Sequence, residues 1–291
     1  MKKLTHSLLG FIACALLLGS CNPMDCPSHL SAVLLNEHSI TLDGGSSSQL
    51  SFSTTPQRFV NGDITVTWES NKPQVVSVSE TGNLEALKAG FATIKVTVVS
   101  KDVTLKDSCR VAVISGDIYF ADPAFEASCV SSFDTNGDGA VSTDEAAEAD
   151  YMGCSFLTIV SLEGIEFFPA ISTLHCVGND ISSLDLSHNP NLEELYCFDN
   201  NLVSLNLELN TSLRTLRCMS NYLTQLDLSN NPALETVSCS SNSLTTMDVS
   251  NNPALISLNC IGNPHLTELW LKTGQTIDEL VKSYVTVVKY K

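Results

Sequence analysis

Positive charge is scarce in this chain. Fifteen Lys and Arg stand against 32 Asp and Glu, a formal net charge of −17 over 291 residues. Phosphates need clustered basic side chains, so this balance excludes a nucleic-acid partner and disfavours anionic membrane surfaces. Aromatics make up only 7% of the residues. No long apolar run follows the N-terminus, so nothing later in the sequence reads as a membrane-spanning helix. The histidines, at 6, 29, 38, 175, 188 and 265, have no metal-ligand spacing. Nucleophile elbow, phosphate loop and dinucleotide fingerprint are all missing. His175 beside Cys176 imitates a dyad, but neighbours on a strand face opposite ways. Glu193-Glu194 reads as a solvated edge. These absences point away from an enzyme.

What is present begins with a processing signal. Lys2 and Lys3 precede the apolar run Leu8 to Leu18, which is shorter than the roughly 20 residues of a membrane span. Residues 1–20 are expected to be an export signal. The run ends in Leu18-Gly19-Ser20-Cys21, which resembles the lipobox of bacterial lipoproteins. That resemblance implies lipid on Cys21, a short tether over residues 21–29, and an exported chain held to the cell envelope. The expected location is the outer membrane, facing the surface.

From residue 30 to 114 the pattern is β-rich. Ile40-Thr41-Leu42, Leu50-Ser51-Phe52, Ile64 to Trp68, Val75 to Val78 and Ala92 to Val98 alternate or nearly so. Turn residues divide them at Asp43-Gly44-Gly45, Asn61-Gly62, Asn71-Lys72-Pro73 and Thr81-Gly82-Asn83. Short strands so spaced predict a β-sandwich. The stretch Thr65 to Asn71, then Val76-Ser77-Val78, Gly82 and Ala89 to Ile94 resembles the bacterial Ig-like domain of group 2. Trp68 is expected as a core anchor, and Gly90 as a turn with positive φ. The resemblance implies a spacer, adhesin segment or glycan-binding module, without choosing among them.

Residues 117–151 centre on Asp134-Thr135-Asn136-Gly137-Asp138-Gly139-Ala140-Val141-Ser142-Thr143-Asp144-Glu145. This is the full EF-hand loop pattern. Asp134, Asn136, Asp138, the Ala140 carbonyl, Ser142 and Glu145 offer the hard oxygens that calcium requires, and Gly139 permits the sharp turn. A helix is expected from Pro123 to Phe133, and another from Glu145 to Ala149. A single loop, unpaired with a second, fits a small helical cap with a structural calcium ion better than a sensor.

Cysteines then recur at 154, 176, 197, 218, 239 and 260, mostly 21 residues apart. Leu174-x-Cys176-x-x-Asn179 repeats as Leu195-x-Cys197-x-x-Asn200, Leu216-x-Cys218-x-x-Asn221, Val237-x-Cys239-x-x-Asn242 and Leu258-x-Cys260-x-x-Asn263. Second apolar pairs follow at Leu184/Leu186, Leu205/Leu207, Leu226/Leu228 and Met247/Val249, then Asn-Pro turns at 189, 231 and 252. Such a period marks a solenoid. It resembles the cysteine-bearing leucine-rich repeat of internalin-like bacterial surface proteins. The solenoid is expected over residues 152–275 and a terminal cap over 276–291. Leu162 to Phe168 reads as the incoming coil. Cysteines at a leucine position behave as small hydrophobes, so Cys176 to Cys260 are expected as free, buried thiols. One-dimensional stacking does not offer zinc its tetrahedron. The states of Cys26, Cys109 and Cys129 stay open.

The fold expected is mixed but mainly β: an Ig-like sandwich, an EF-hand-like cap and a leucine-rich-repeat solenoid. If Leu and Cys point inward, their neighbours face out in rows: Thr173, His175, Val177; Glu194, Tyr196, Phe198; Thr215, Arg217, Met219. His175, Tyr196, Phe198, Arg217 and Met219 are the candidate ligand face, rich in residue types that interface cores favour. The function expected is surface recognition or adhesion through a protein partner. Glycan capture and a plain structural spacer are the alternatives.

Overall fold

The computed structural model describes residues 30–55, 64–100 and 103–291. The expected signal, Cys21, the tether, Cys26 and the Asn61-Gly62 turn lie outside the described residues.

The first module is built from β1 (Ala32–Leu35), β2 (Ser39–Leu42), β3 (Ser47–Gln49), β4 (Phe52–Thr55), β5 (Ile64–Ser70), β6 (Val76–Val78), β7 (Asn83–Ala86), β8 (Gly90–Ser100) and β9 (Val103–Val113). One sheet has the order β2-β9-β8-β5, with β2 and β9 parallel; another runs β3-β7-β6, and β1 pairs with β4. Period-two alternation drives this. Ala92, Ile94, Val96 and Val98 turn inward along β8, and Cys109, Val111 and Val113 do so along β9. Leu50, Val75, Val76 and Leu84 complete the core from other strands. Trp68 packs edge-on to Phe52 with ring centroids 6.1 Å apart and is only partly buried, so it flanks the core instead of anchoring it. Gly82 is required: at φ +83°, a Cβ there would sit 2.6 Å from the Leu50 carbonyl and 2.9 Å from the Trp68 ring. Gly90 makes no turn. It opens β8, and a Cβ there would press on Val75 at 3.0 Å, so close packing accounts for it.

Two helices follow. Asp122 caps α1 (Pro123–Phe133), its Oδ1 accepting from the amides of Ala124 and Phe125. Its Oδ2 accepts from the Val160 amide at 2.7 Å, which ties the helix start to the first coil. The second helix, α2 (Thr143–Ala147), starts ahead of the expected Glu145 because Ser142 caps it, with Glu145 closing a capping box. Phe125, Cys129, Val141 and Ala146 belong to one continuous core that runs from Ala89 to Leu271. The helical segment and the solenoid therefore share an interior.

In the solenoid, β10 (Tyr151–Gly153), β11 (Thr173–His175), β12 (Glu194–Tyr196), β13 (Thr215–Arg217) and β14 (Thr236–Ser238) stack in parallel. The chain continues with β15 (Thr246–Asp248), β16 (Ser257–Asn259), β17 (Glu268–Leu271), β18 (Glu279–Val281) and β19 (Val287–Tyr290). One sheet has the order β10-β11-β12-β13-β14-β16-β18, and a second runs β15-β17-β19. Register follows the repeat: Met152, Leu174, Leu195, Leu216, Val237, Leu258 and Leu280 are successive partners. The segment expected as a terminal cap supplies β18 and β19, which extend both sheets.

The cysteines from Cys154 to Cys260 are free and buried in one column. A thiolate there would be stripped of water, so burial holds the thiols of Cys176, Cys197, Cys218 and Cys239 far above their usual range. Outside the column, Cys109 and Cys129 are also free and buried. The repeated asparagines clamp adjacent coils. Asn221 accepts the Leu202 amide at 2.9 Å and donates to the carbonyls of Cys197 at 3.0 Å and Cys218 at 3.2 Å. Asn179, Asn200, Asn242 and Asn263 do the same one coil apart. A second column, Asn189, Asn210, Asn231 and Asn252, donates to carbonyls of the preceding coil, and Gln275 takes the next place. Each coil also places the residue before the first-column Asn in the left-handed region: Gly178, Asp199, Ser220, Ser241 and Gly262.

The two modules meet along Ala89, which bridges to Ile118. Lys72 pairs with Glu163, and Phe91 stacks on Phe167 at 6.1 Å.

Candidate functional site

The outer face of the long sheet carries the candidate ligand residues. Strand alternation buries Leu174, Leu195 and Leu216, which leaves His175, Tyr196 and Arg217 facing out in register. Their side chains touch. The rings of His175 and Tyr196 lie 4.2 Å apart, and the Arg217 guanidinium sits 5.7 Å from the Tyr196 centroid. Tyr196 donates its hydroxyl to Glu194 at 2.9 Å, which fixes the ring over the sheet. Burial, together with that hydrogen bond and charge, raises the Tyr196 pKa above its ordinary value.

Tyr151 joins the row, its ring 5.5 Å from His175. Sequence reading placed it in the helical segment and missed it. The signal was available, because Tyr151 precedes Thr173 by one repeat length and is its strand partner. Gly153 makes the contact possible: a Cβ there would lie 2.9 Å from the Tyr151 hydroxyl, so the ring occupies the space a side chain would need. Phe198 and Met219 stand apart from this row. Each follows an inward cysteine at the corner where the coil turns, and each is half-buried. Val177, expected to face outward, is buried, although it stands outside the shared core.

The EF-hand-like loop is a second candidate. Asp134 accepts from the amides of Gly137 at 2.7 Å and Gly139 at 2.9 Å. Asp138 accepts from the Ala140 amide and from the Asn136 side chain. Glu145 spans the loop, taking the Thr135 amide on one oxygen and the Ser142 amide on the other, both at 2.9 Å. Those bonds, from Ser142 first and then Thr135, draw its carboxyl down to about 2. Val141 is buried beneath the loop. The donor set is all oxygen and suits a hard cation. The carboxylates are turned onto loop amides, and among the described residues no three His, Cys, Asp or Glu side chains gather into a metal-holding group.

Residues 31–111 match the bacterial Ig-like domain (group 2) family. That match covers less than a third of the chain, and the cysteine-bearing repeats after it wind into the parallel solenoid described above. The functional domain of InlJ from Listeria monocytogenes, described as including a cysteine ladder, aligns at 33% identity and TM-score 0.47 over 53% of this chain and 36% of its own. An internalin, inlF of Listeria monocytogenes, aligns at 18% identity and TM-score 0.44, covering 59% of this chain and 55% of its own. A polysaccharide lyase 8 family protein, HylA of Enterococcus faecalis, is 32% identical over 91 residues, or 31% of this chain and 6% of that protein. The chain thus spans a small part of HylA and little more than a third of the InlJ domain.

Proposed function

We propose that this chain is a non-enzymatic recognition protein of the bacterial surface, which binds a protein partner through the outer face of its long parallel sheet. The observation that carries this reading is the contact row Tyr151, His175, Tyr196 and Arg217. Aromatics and Arg dominate binding energy at protein interfaces, where rigid rings offer large contact area at low entropic cost. The row is preordered by its own contacts, so little side-chain freedom is lost on docking. Lipid on Cys21 would hold the module at the envelope, with the Ig-like domain lifting the solenoid away from the membrane.

In the same reading calcium is a structural ion. Asp134, Asn136, Asp138, the Ala140 carbonyl, Ser142 and Glu145 would hold it. It would cross-link the end of α1 to the start of α2, beside the first coil.

The test is binding of the full chain to a panel of extracellular protein ectodomains, beside the double variant Tyr196→Ala/Arg217→Ala. The expected result is a partner whose affinity falls about 100-fold or more in the variant, the scale of two lost hot-spot side chains. A partner bound equally by both forms removes the sheet face from the account.

A further inference from the structure

Where the Ig-like module meets the solenoid, the chain forms a half-open crevice of about 650 Å³. That volume falls within the range of about 300–1,000 Å³ typical of small-molecule sites, which favour domain junctions. Neither module makes it alone. Lys72 and Phe91 come from the Ig-like side, and Glu166, Ser183, Asp185 and His188 come from the first coils of the solenoid.

The lining is chemically mixed. Phe91 leaves 43% of its surface open, with the Phe167 and His188 rings 6.1 and 6.0 Å from its own. Lys72 is matched by Glu163. Glu166 has the Gly164 amide at 2.7 Å and no ion-pair partner among the described residues. Burial raises its carboxyl above the ordinary range against the pull of that amide. Asp185 accepts from the side chain and the amide of the neighbouring Ser187, and the Ser187 hydroxyl meets His188 Nδ1 at 3.1 Å. The crevice therefore holds carboxylate acceptors, an ammonium donor, a hydroxyl and an aromatic wall within one cavity. A simple cation would face Lys72, and a simple anion would face Glu166 and Asp185. A ligand with both donors and acceptors on one face and C–H groups on the other meets every wall. A sugar ring has that chemistry.

We propose that the crevice between the Ig-like module and the solenoid binds a neutral saccharide of one or two rings, with Phe91 against a sugar face and Glu166 and Asp185 taking its hydroxyls. This site is separate from the protein-binding face, so either can fail without the other.

Saturation-transfer NMR on the full chain tests it, with methyl glucoside, methyl galactoside, N-acetylglucosamine and cellobiose as neutral probes, glucuronate as the anion and putrescine as the cation. At least one neutral sugar should receive saturation and bind at millimolar strength or better. Phe91→Ala and Glu166→Gln should each weaken it about tenfold, the scale of one lost strong contact. Phe91→Tyr preserves the wall and should retain binding, which separates lost recognition from lost module docking. The exposed substitution Tyr222→Ser should change nothing. Silence from every neutral probe, binding untouched by both Phe91→Ala and Glu166→Gln, or a response to putrescine alone overturns the proposal.

Discussion

Replacing Asn221 by alanine probes the join between coils most sharply. Asn221 is 6% exposed and accepts the amide of fully buried Leu202 while donating to the carbonyls of Cys197 and Cys218. Alanine keeps none of these bonds and leaves an amide and two carbonyls facing the void. A buried polar group left unpaired costs about 1–3 kcal/mol, and a carbonyl with other partners sits at the low end. The expected loss is about 3–5 kcal/mol. Asn231 offers an internal comparison. It donates to the carbonyls of Leu207 at 3.0 Å and Asn210 at 2.9 Å, while its Oδ1 has no partner in the structure. Asn231→Ala strands no amide, so its cost should be smaller, about 1–3 kcal/mol. The exposed substitution Thr224→Ala should stay within about 0.5 kcal/mol. Urea unfolding followed by circular dichroism reads all three, since about 4 kcal/mol shifts the midpoint by more than about 1 M. A loss below about 1 kcal/mol for Asn221→Ala, or a larger loss for Asn231→Ala, refutes the clamp.

Further outcomes follow from other sites. Asp122→Ala removes the cap of α1 and the tie to Val160, and should cost about 2 kcal/mol, measured by the same unfolding. Burial alone would raise the Asp122 carboxyl, but the amides of Val160, Phe125 and Ala124 hold it below its usual 3.8. Its stabilisation is therefore complete above that value and fades as pH falls through the lower folded value. Asp122→Asn should flatten this acid limb of the stability curve, and an unchanged limb counts against it. Calcium at 100 times its dissociation constant should stabilise the chain by about 2.7 kcal/mol. Melting curves with and without chelator check this, and a gain that persists in Asp134→Ala places the ion elsewhere. Labelling cells with a palmitate analogue should mark the wild type and spare Cys21→Ser; equal labelling removes the lipid from Cys21.

The solenoid was legible because its period is written in side chains that must repeat for coils to share a core. Cysteine spacing alone sets the register from Leu174 to Leu258. The first asparagine column showed for the same reason. The second column was half seen: Asn189, Asn231 and Asn252 precede proline, whereas Asn210 precedes Thr211 and Gln275 replaces asparagine altogether. Alternation misjudged the ends of strands. Val177, two residues past the end of β11, is buried where its counterparts Phe198 and Met219 are half-buried. Tyr151 escaped notice because the first strand follows α2 without the leucine that marks later coils. The junction crevice left no local trace, since Lys72 and Phe91 meet Glu163 and His188 only through docking of two modules.

The central claim is a chain wound in register, with sulphurs filling its interior, and thiol labelling of the native protein tests it most directly. Alkylation read by mass spectrometry should leave Cys176, Cys197, Cys218, Cys239 and Cys260 unmodified in the folded chain. All should react once it is denatured, without prior reduction. Rapid labelling of any of them in the native state, or a disulfide between neighbouring coils, contradicts the account.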